Sequence, residues 1–156
     1  MNMYKLSICI PTFNRYECLN NCLNSILIAK ENYNFEFEVC ISDNCSKDDI
    51  EPLIKKYENF FNIKFNKNES NLGLGVNILK AVSLADGEFV WILGNDDLLL
   101  PETFKHIDLL FKENSLVDFY YINSYNLDSS FLNKFQKPFN TYKLPINMKK
   151  FSNYSK

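Results

Sequence analysis

The chain has 156 residues, 46% of them apolar and 15% aromatic, with a formal net charge of −2, which is enough for one packed core but not two and excludes a disordered chain. The charge is unevenly spread: Met1 to Asp128 carries 11 basic and all 19 acidic residues, whereas Ser129 to Lys156 carries six lysines and no acid. An acidic body argues against nucleic acid as a partner, and no apolar run approaches the ~20 residues that span a bilayer.

Met1 to Ser7 leads straight into a strand-like run without the basic and apolar regions of a signal peptide, so a cytoplasmic location is expected. Leu6 to Ile10, stopped by Pro11, reads as the first strand. From Arg15 to Ala29, apolar residues recur at spacings of three and four, which predicts a helix. Phe35 to Ile41 reads as a second strand, and Asp48 and Asp49 are placed to cap a helix running through Leu53, Ile54 and Tyr57. Ile63 to Phe65 is a short third strand.

A glycine-bearing loop, Asn68 to Gly75, precedes a helix from Val76 to Ala85 that Asp86-Gly87 is expected to terminate. Phe89 to Leu93 is apolar throughout, the pattern of a central strand covered on both faces. Pro101 opens a further helix, whose His106 is expected at the surface, and Val117 to Tyr125 reads as the last strand. The alternation predicts an α/β fold: a mostly parallel sheet flanked by helices, with one ligand-binding edge. Five cysteines without a CxxC pair are expected to be free thiols, in keeping with a reducing compartment.

Three polar segments follow strands and should meet at the carboxyl edge of the sheet: Pro11 to Arg15, Ser42 to Ser46, and Gly94 to Asp97. A lone pair of aspartates is more often a solvated turn or a helix cap. Asp96 and Asp97, however, directly follow the most apolar strand, and carboxylates at the edge of a dry core call for a cation. Hard oxygen donors in small number suit Mg²⁺ or Mn²⁺ held jointly with substrate phosphates.

Four segments in order, SICIPTFNR from Ser7, ISDNCS from Ile41, NLGLGVNI from Asn71 and GEFVWILGNDDLLLP from Gly87, resemble the family-2 glycosyltransferases of the GT-A fold over roughly Leu6 to Leu127. The resemblance implies a Rossmann-like nucleotide-sugar-binding subdomain over residues 1–128. It also implies an inverting, metal-assisted transfer from a nucleotide-diphospho-sugar, a UDP-sugar above all, to a glycan or lipid-linked acceptor. Phe13 matches the aromatic that packs on the donor's base, and Pro11 and Thr12 the loop that touches base and ribose. Arg15 matches a basic position near the nucleotide, and Asp43 the carboxylate that accepts from the base imide. Gly73 and Asn77 lie in a loop where glycines let backbone approach the nucleotide, although a plain helix N-cap turn is nearly as good a reading there. Where the family has D-x-D, its first acidic position falls here on Gly94. Counting back from Pro101 puts the main metal ligand at Asp96, with Asp97 as helper and Asn95 at a ribose-contacting position.

The catalytic base of the family lies beyond this strand, and the expectation is that it falls past Lys156. A second reading is therefore a truncated or non-catalytic nucleotide-sugar-binding module. Residues 129–156 are expected to begin an acceptor-binding region. Their lysines and aromatics suit an anionic membrane surface, but Pro138, Pro145 and the irregular aromatic spacing favour a segment expected to pack back on the domain or to dangle for want of its continuation.

Overall fold

The computed structural model describes residues 4–113, 118–120, 122, 124, 126–127 and 134–136. The chain divides into two compact units, Met1–His106 and Ile107–Lys156. The first unit holds β1 (Tyr4–Thr12), α1 (Tyr16–Asn32), β2 (Phe37–Asp43), α2 (Glu51–Glu58), β3 (Asn62–Lys67), α3 (Leu74–Val82) and β4 (Gly87–Ile92), and α4 (Thr103–Glu113) begins within it. Its strands form one parallel sheet in the order β3-β2-β1-β4.

Alternating side chains divide the sheet's two faces. Leu6, Ile8 and Ile10 share one face with Phe37, Val39 and Ile41, their register partners; all six are buried. On this face Phe37 stacks on Phe104 at 4.6 Å and leans on Phe61 at 5.6 Å. The opposite face presents Cys9 and Cys40, which pack with Ala81 of α3. The β1–α1–β2 and β2–α2–β3 units run in one direction along the sheet; the β3–α3–β4 unit returns across it and sets β4 on the far side of β1. This reversal is the topological switch point at which open α/β sheets form a ligand crevice.

Three expectations are corrected. The strand after α3 does not take a central place among the described strands: β4 lies at their edge, with Val90 44% and Ile92 53% exposed and the intervening residues more buried. Apolar side chains report a covered or sticky surface, not the number of neighbouring strands. Nor does Gly87 terminate α3, which ends at Val82. Gly87 opens β4 beside β1, where a Cβ would lie 2.6 Å from Ser7 Oγ and 2.7 Å from Ser7 N. The glycine is needed for close approach of two strands. Finally, the α2 N-cap is Ile50, without a side-chain cap, and Asp48 takes no part. Asp49 instead accepts the Glu51 N–H at 3.0 Å, one residue beyond the cap.

Gly87→Ala is therefore expected to destabilise the chain by about 1–3 kcal/mol, because the added methyl meets backbone as well as a hydroxyl. Urea unfolding checks this, and an unchanged midpoint would remove the close-approach argument.

In the second unit, Lys112 pairs with Asp108 one turn back at 2.6 Å, Phe111 lies against Tyr120 at 5.4 Å, and β5 (Asn126–Leu127) pairs antiparallel with β6 (Lys134–Gln136). The expected strand from Val117 to Tyr125 is described only at residues 118–120, 122 and 124, none of them in a strand. The expected boundary at Asp128 and all of residues 129–156 except 134–136 lie outside the described residues. No described helix is long and apolar enough to cross a membrane.

Candidate functional site

Register places Thr12, Asp43 and Lys67 side by side at the carboxyl ends of β1, β2 and β3. The loops that follow are sewn together by polar side chains. Asn14, in the left-handed region at φ 50°, accepts the Lys47 N–H through Oδ1 at 2.8 Å and donates its own N–H to Ser46 Oγ at 2.8 Å. Asparagine tolerates this backbone better than most residues. Asp43 is fully buried; its carboxylate accepts the Ser46 N–H at 3.1 Å and the Ser46 hydroxyl, with Lys67 Nζ 3.9 Å away. Asp43 thus fixes the turn that in turn holds the loop after β1.

Asn77 is 2% exposed and works as a bracket. Its amide nitrogen donates to the carbonyls of Ser42 at 3.0 Å and Thr12 at 3.3 Å, and its oxygen accepts from Ser42 Oγ at 2.8 Å and Asn68 Nδ2 at 3.0 Å. Four bonds exhaust the capacity of the amide. Asn44 extends the same network, accepting from Asn68 Nδ2 at 3.1 Å and the Leu72 N–H at 2.9 Å. Gly73 caps α3 at φ 81°, with nothing within 4 Å of where a Cβ would stand. The conformation, not crowding, demands glycine there.

On the other side of β1, the loop after β4 closes the crevice. Asn95 is buried and donates to Thr12 Oγ1 at 2.8 Å. Arg15, the N-cap of α1, donates to Asp96 Oδ2 at 2.7 Å. Asp97 turns its Oδ2 back onto the Gly94 N–H at 3.1 Å. A Cβ on Gly94 would stand 2.8 Å from Asp97 Oδ2 and 3.0 Å from Asp96 Oδ1. The residue that departs from D-x-D is therefore the one that gives both carboxylates room. Partial burial, and then the charge of Asp96, hold the proton on Asp97 more tightly than on an ordinary aspartate, although the Gly94 N–H pulls the other way. Beneath them the Cys22 thiol, 3.9 Å from the Gly94 carbonyl, is pushed up to about 12 by burial, with Asp97 and Asp96 adding to it.

Phe13 is 39% exposed at this edge, and Pro11 is half-buried at the end of β1. The structure thus pairs Thr12 with Asn95 and Arg15 with Asp96, and gathers Asp43, Asn77 and Gly73 into the adjoining amide network. Asn14, Asn44, Ser46 and Asn68 were not singled out from sequence. Of these, only Asn14, followed by Arg15 at a helix start, carried a local signal. All five cysteines are free, three of them buried, and His106 is exposed.

Among the described residues no set of three acidic, histidine or cysteine groups forms a metal-holding cluster. Two adjacent carboxylates with raised proton affinity on one of them fit a hard divalent ion that draws its remaining ligands from water and a phosphate. They do not fit a self-sufficient protein cage.

Residues 7–154 match the family described as glycosyl transferase family 2. The chain belongs to that family. Among its relatives, abequosyltransferase RfbV of Salmonella typhimurium is 45% identical over 100 residues, covering 63% of this chain and 30% of RfbV. The poly(ribitol-phosphate) beta-N-acetylglucosaminyltransferase TarS of Staphylococcus aureus is 38% identical over 106 residues, 66% of this chain and 18% of TarS. The crystal structure of TarS residues 1–349 superposes with a TM-score of 0.75 at 29% identity over 90% of this chain and 40% of that one. Its complex with UDP-GlcNAc gives 0.71 at 30% identity, over 80% and 36%. The chain thus spans less than a third of the length of either of these two curated relatives, and its fold is that of the family-2 glycosyltransferases.

Proposed function

We propose that the chain binds the donor in a glycosyltransferase that moves a sugar from a UDP-sugar to a glycan or lipid-linked acceptor with inversion, assisted by Mn²⁺ or Mg²⁺. The observation that carries this reading is the crevice at the β1/β4 switch point, where Arg15 meets Asp96 and Asn95 meets Thr12. Similarity to TarS, solved with UDP-GlcNAc, supports the choice of a UDP-sugar.

In this reading the exposed Phe13 ring packs against the uracil, and Pro11 and Thr12 line base and ribose. Asp43 accepts from the base imide once the turn at Ser46 yields one of its oxygens. Asn77 acts through Thr12 and Ser42 as a positioning residue, and Gly73 keeps the backbone low beside the nucleotide. Asn95 is aimed at the ribose by its bond to Thr12. Asp96 and Asp97 would hold the divalent ion, whose chemistry is to neutralise the charge that the leaving diphosphate gains. Arg15 adds a fixed positive charge on the same side, and the N-terminus of α1 behind it favours an anion there. No residue of this chain is proposed as the base that deprotonates the acceptor, and membrane contact by residues 129–156 stays a secondary proposal, to be read from liposome co-sedimentation.

Calorimetry of UDP with Mn²⁺ and with chelator tests the donor reading. Binding at least tenfold tighter with Mn²⁺ is expected, since a divalent ion held by Asp96 and Asp97 would offset the diphosphate's charge. Equal affinities would discard the metal, and absence of UDP binding would discard the site.

A further inference from the structure

The Arg15–Asp96 pair joins the loop after β1 to the loop after β4, 81 positions apart, and both side chains are open to water, 54% and 58% exposed. An ion pair so exposed is weak and easily exchanged. It also occupies Asp96 Oδ2, an oxygen of the very carboxylate proposed above to hold the divalent ion. A guanidinium and a divalent cation cannot both sit on that oxygen without repelling each other. Arg15 itself is in an uncomfortable place, because a cation at a helix N-terminus opposes the helix dipole. Among the described residues its only acidic partner is Asp96, and no hydrogen bond from its side chain caps the helix.

Resting on the donor reading above, we infer that Arg15 is an exchangeable counter-ion. It neutralises Asp96 while the crevice is empty, and moves to the donor's diphosphate when a divalent ion takes Asp96. The guanidinium presents a planar fork that matches phosphate oxygens, and its new partner carries more charge than the one it leaves. The α1 N-terminus, unfavourable to Arg15 alone, becomes favourable to the anion Arg15 then holds. Metal affinity is thereby tied to the presence of diphosphate: the ion alone must displace Arg15 without compensation, whereas the ion with nucleotide gives Arg15 somewhere to go. The same exchange keeps the acidic pair from collecting free cations.

The experiment is Mn²⁺ titration of the full chain, followed by the electron paramagnetic resonance of unbound Mn²⁺, with and without UDP, for wild type, Arg15→Gln and Arg15→Lys. Arg15 is exposed, and circular dichroism verifies folding of each variant. Without UDP, Arg15→Gln is expected to bind Mn²⁺ about fivefold more tightly than wild type, since the competing charge is gone. With UDP the order inverts, Arg15→Gln falling about tenfold below wild type through loss of the phosphate contact. Arg15→Lys, which keeps the charge, should match wild type without UDP. An Arg15→Gln chain that binds Mn²⁺ alone no better than wild type, while wild type binds Mn²⁺ normally with UDP, overturns the exchange and leaves the donor reading intact. Failure of every chain to bind Mn²⁺ even with UDP overturns the metal site and the exchange with it.

Discussion

Asp96→Ala is expected to abolish Mn²⁺-dependent UDP binding, with Asp97→Ala weakening it to a lesser degree. Asp96 presents its carboxylate outward, its Oδ2 held only by a solvent-exposed arginine, so both oxygens are within reach of an incoming ion. Asp97 is less available: Oδ2 is turned onto the Gly94 N–H, and its charged form is already disfavoured by partial burial and by Asp96. Losing the main ion contact should cost ~4 kcal/mol, roughly a thousandfold in affinity. Because partial burial and the charge of Asp96 raise the proton affinity of Asp97, Mn²⁺ binding should weaken on acidification before UDP binding in chelator does. Calorimetry on the two variants at neutral pH decides the order. If Asp97→Ala is the more damaging, the outward carboxylate is not the main ligand.

The second large effect lies at the opposite end of the sheet. Glu38 is fully buried on the α3 face of β2. Its Oε1 accepts from Ser7 Oγ at 2.7 Å and from the Asp86 N–H at 2.6 Å, and its Oε2 lies 2.8 Å from Lys64 Nζ, off the axis of a hydrogen bond. Burial alone would raise its pKa; Lys64, Ser7 and the Asp86 N–H outweigh it and hold the carboxyl below its ordinary range. The stabilisation is therefore complete above the ordinary carboxylate range, and it is lost as pH falls through the depressed value. Glu38→Ala leaves Lys64 with Asp86 and the Leu84 carbonyl as partners, but it takes the buried acceptor from the Ser7 hydroxyl and the Asp86 N–H and unseats the entry to β4. The expected cost is about 2–4 kcal/mol, a fall in Tm of roughly 5–15 °C. Glu38→Gln, which still accepts from Ser7, should lose less, and both variants should show a flatter decline of stability in acid. Thermal unfolding across pH checks this; a Tm within a few degrees of wild type for Glu38→Ala would mean the network is dispensable.

Much of the architecture was legible before any coordinates. β1, α1 and β2 announce themselves because a short β-branched run, a proline and a 3–4 periodicity each have one natural backbone solution. The three polar segments after strands were legible as a shared edge because parallel crossovers leave them nowhere else to go. Less legible was the place of β4, since apolarity says nothing of order within a sheet. The part of Asn44 and Asn68 in the network around Asn77 was opaque because a lone asparagine in sequence looks like any loop residue; its meaning arises only when register sets Thr12 beside Asp43. Arg15 and Asp96 were each singled out, yet nothing in a linear text pairs residues that far apart.

Leu93 donates its N–H to the Cys9 carbonyl, so alternate residues of β1 address β4, and the next on that side is Pro11. Any other residue there would bring an N–H in need of a partner, and the nearest carbonyls belong to the segment that follows Ile92. The ladder would lengthen by one rung and draw Gly94 and Asn95 towards β1, or else leave a donor unsatisfied. With proline there is no donor, the pairing of β1 with β4 stops at Cys9 and Ile92, and the two chains part. The opening between Thr12 and Asp96 thus depends on one hydrogen atom that this sequence does not have.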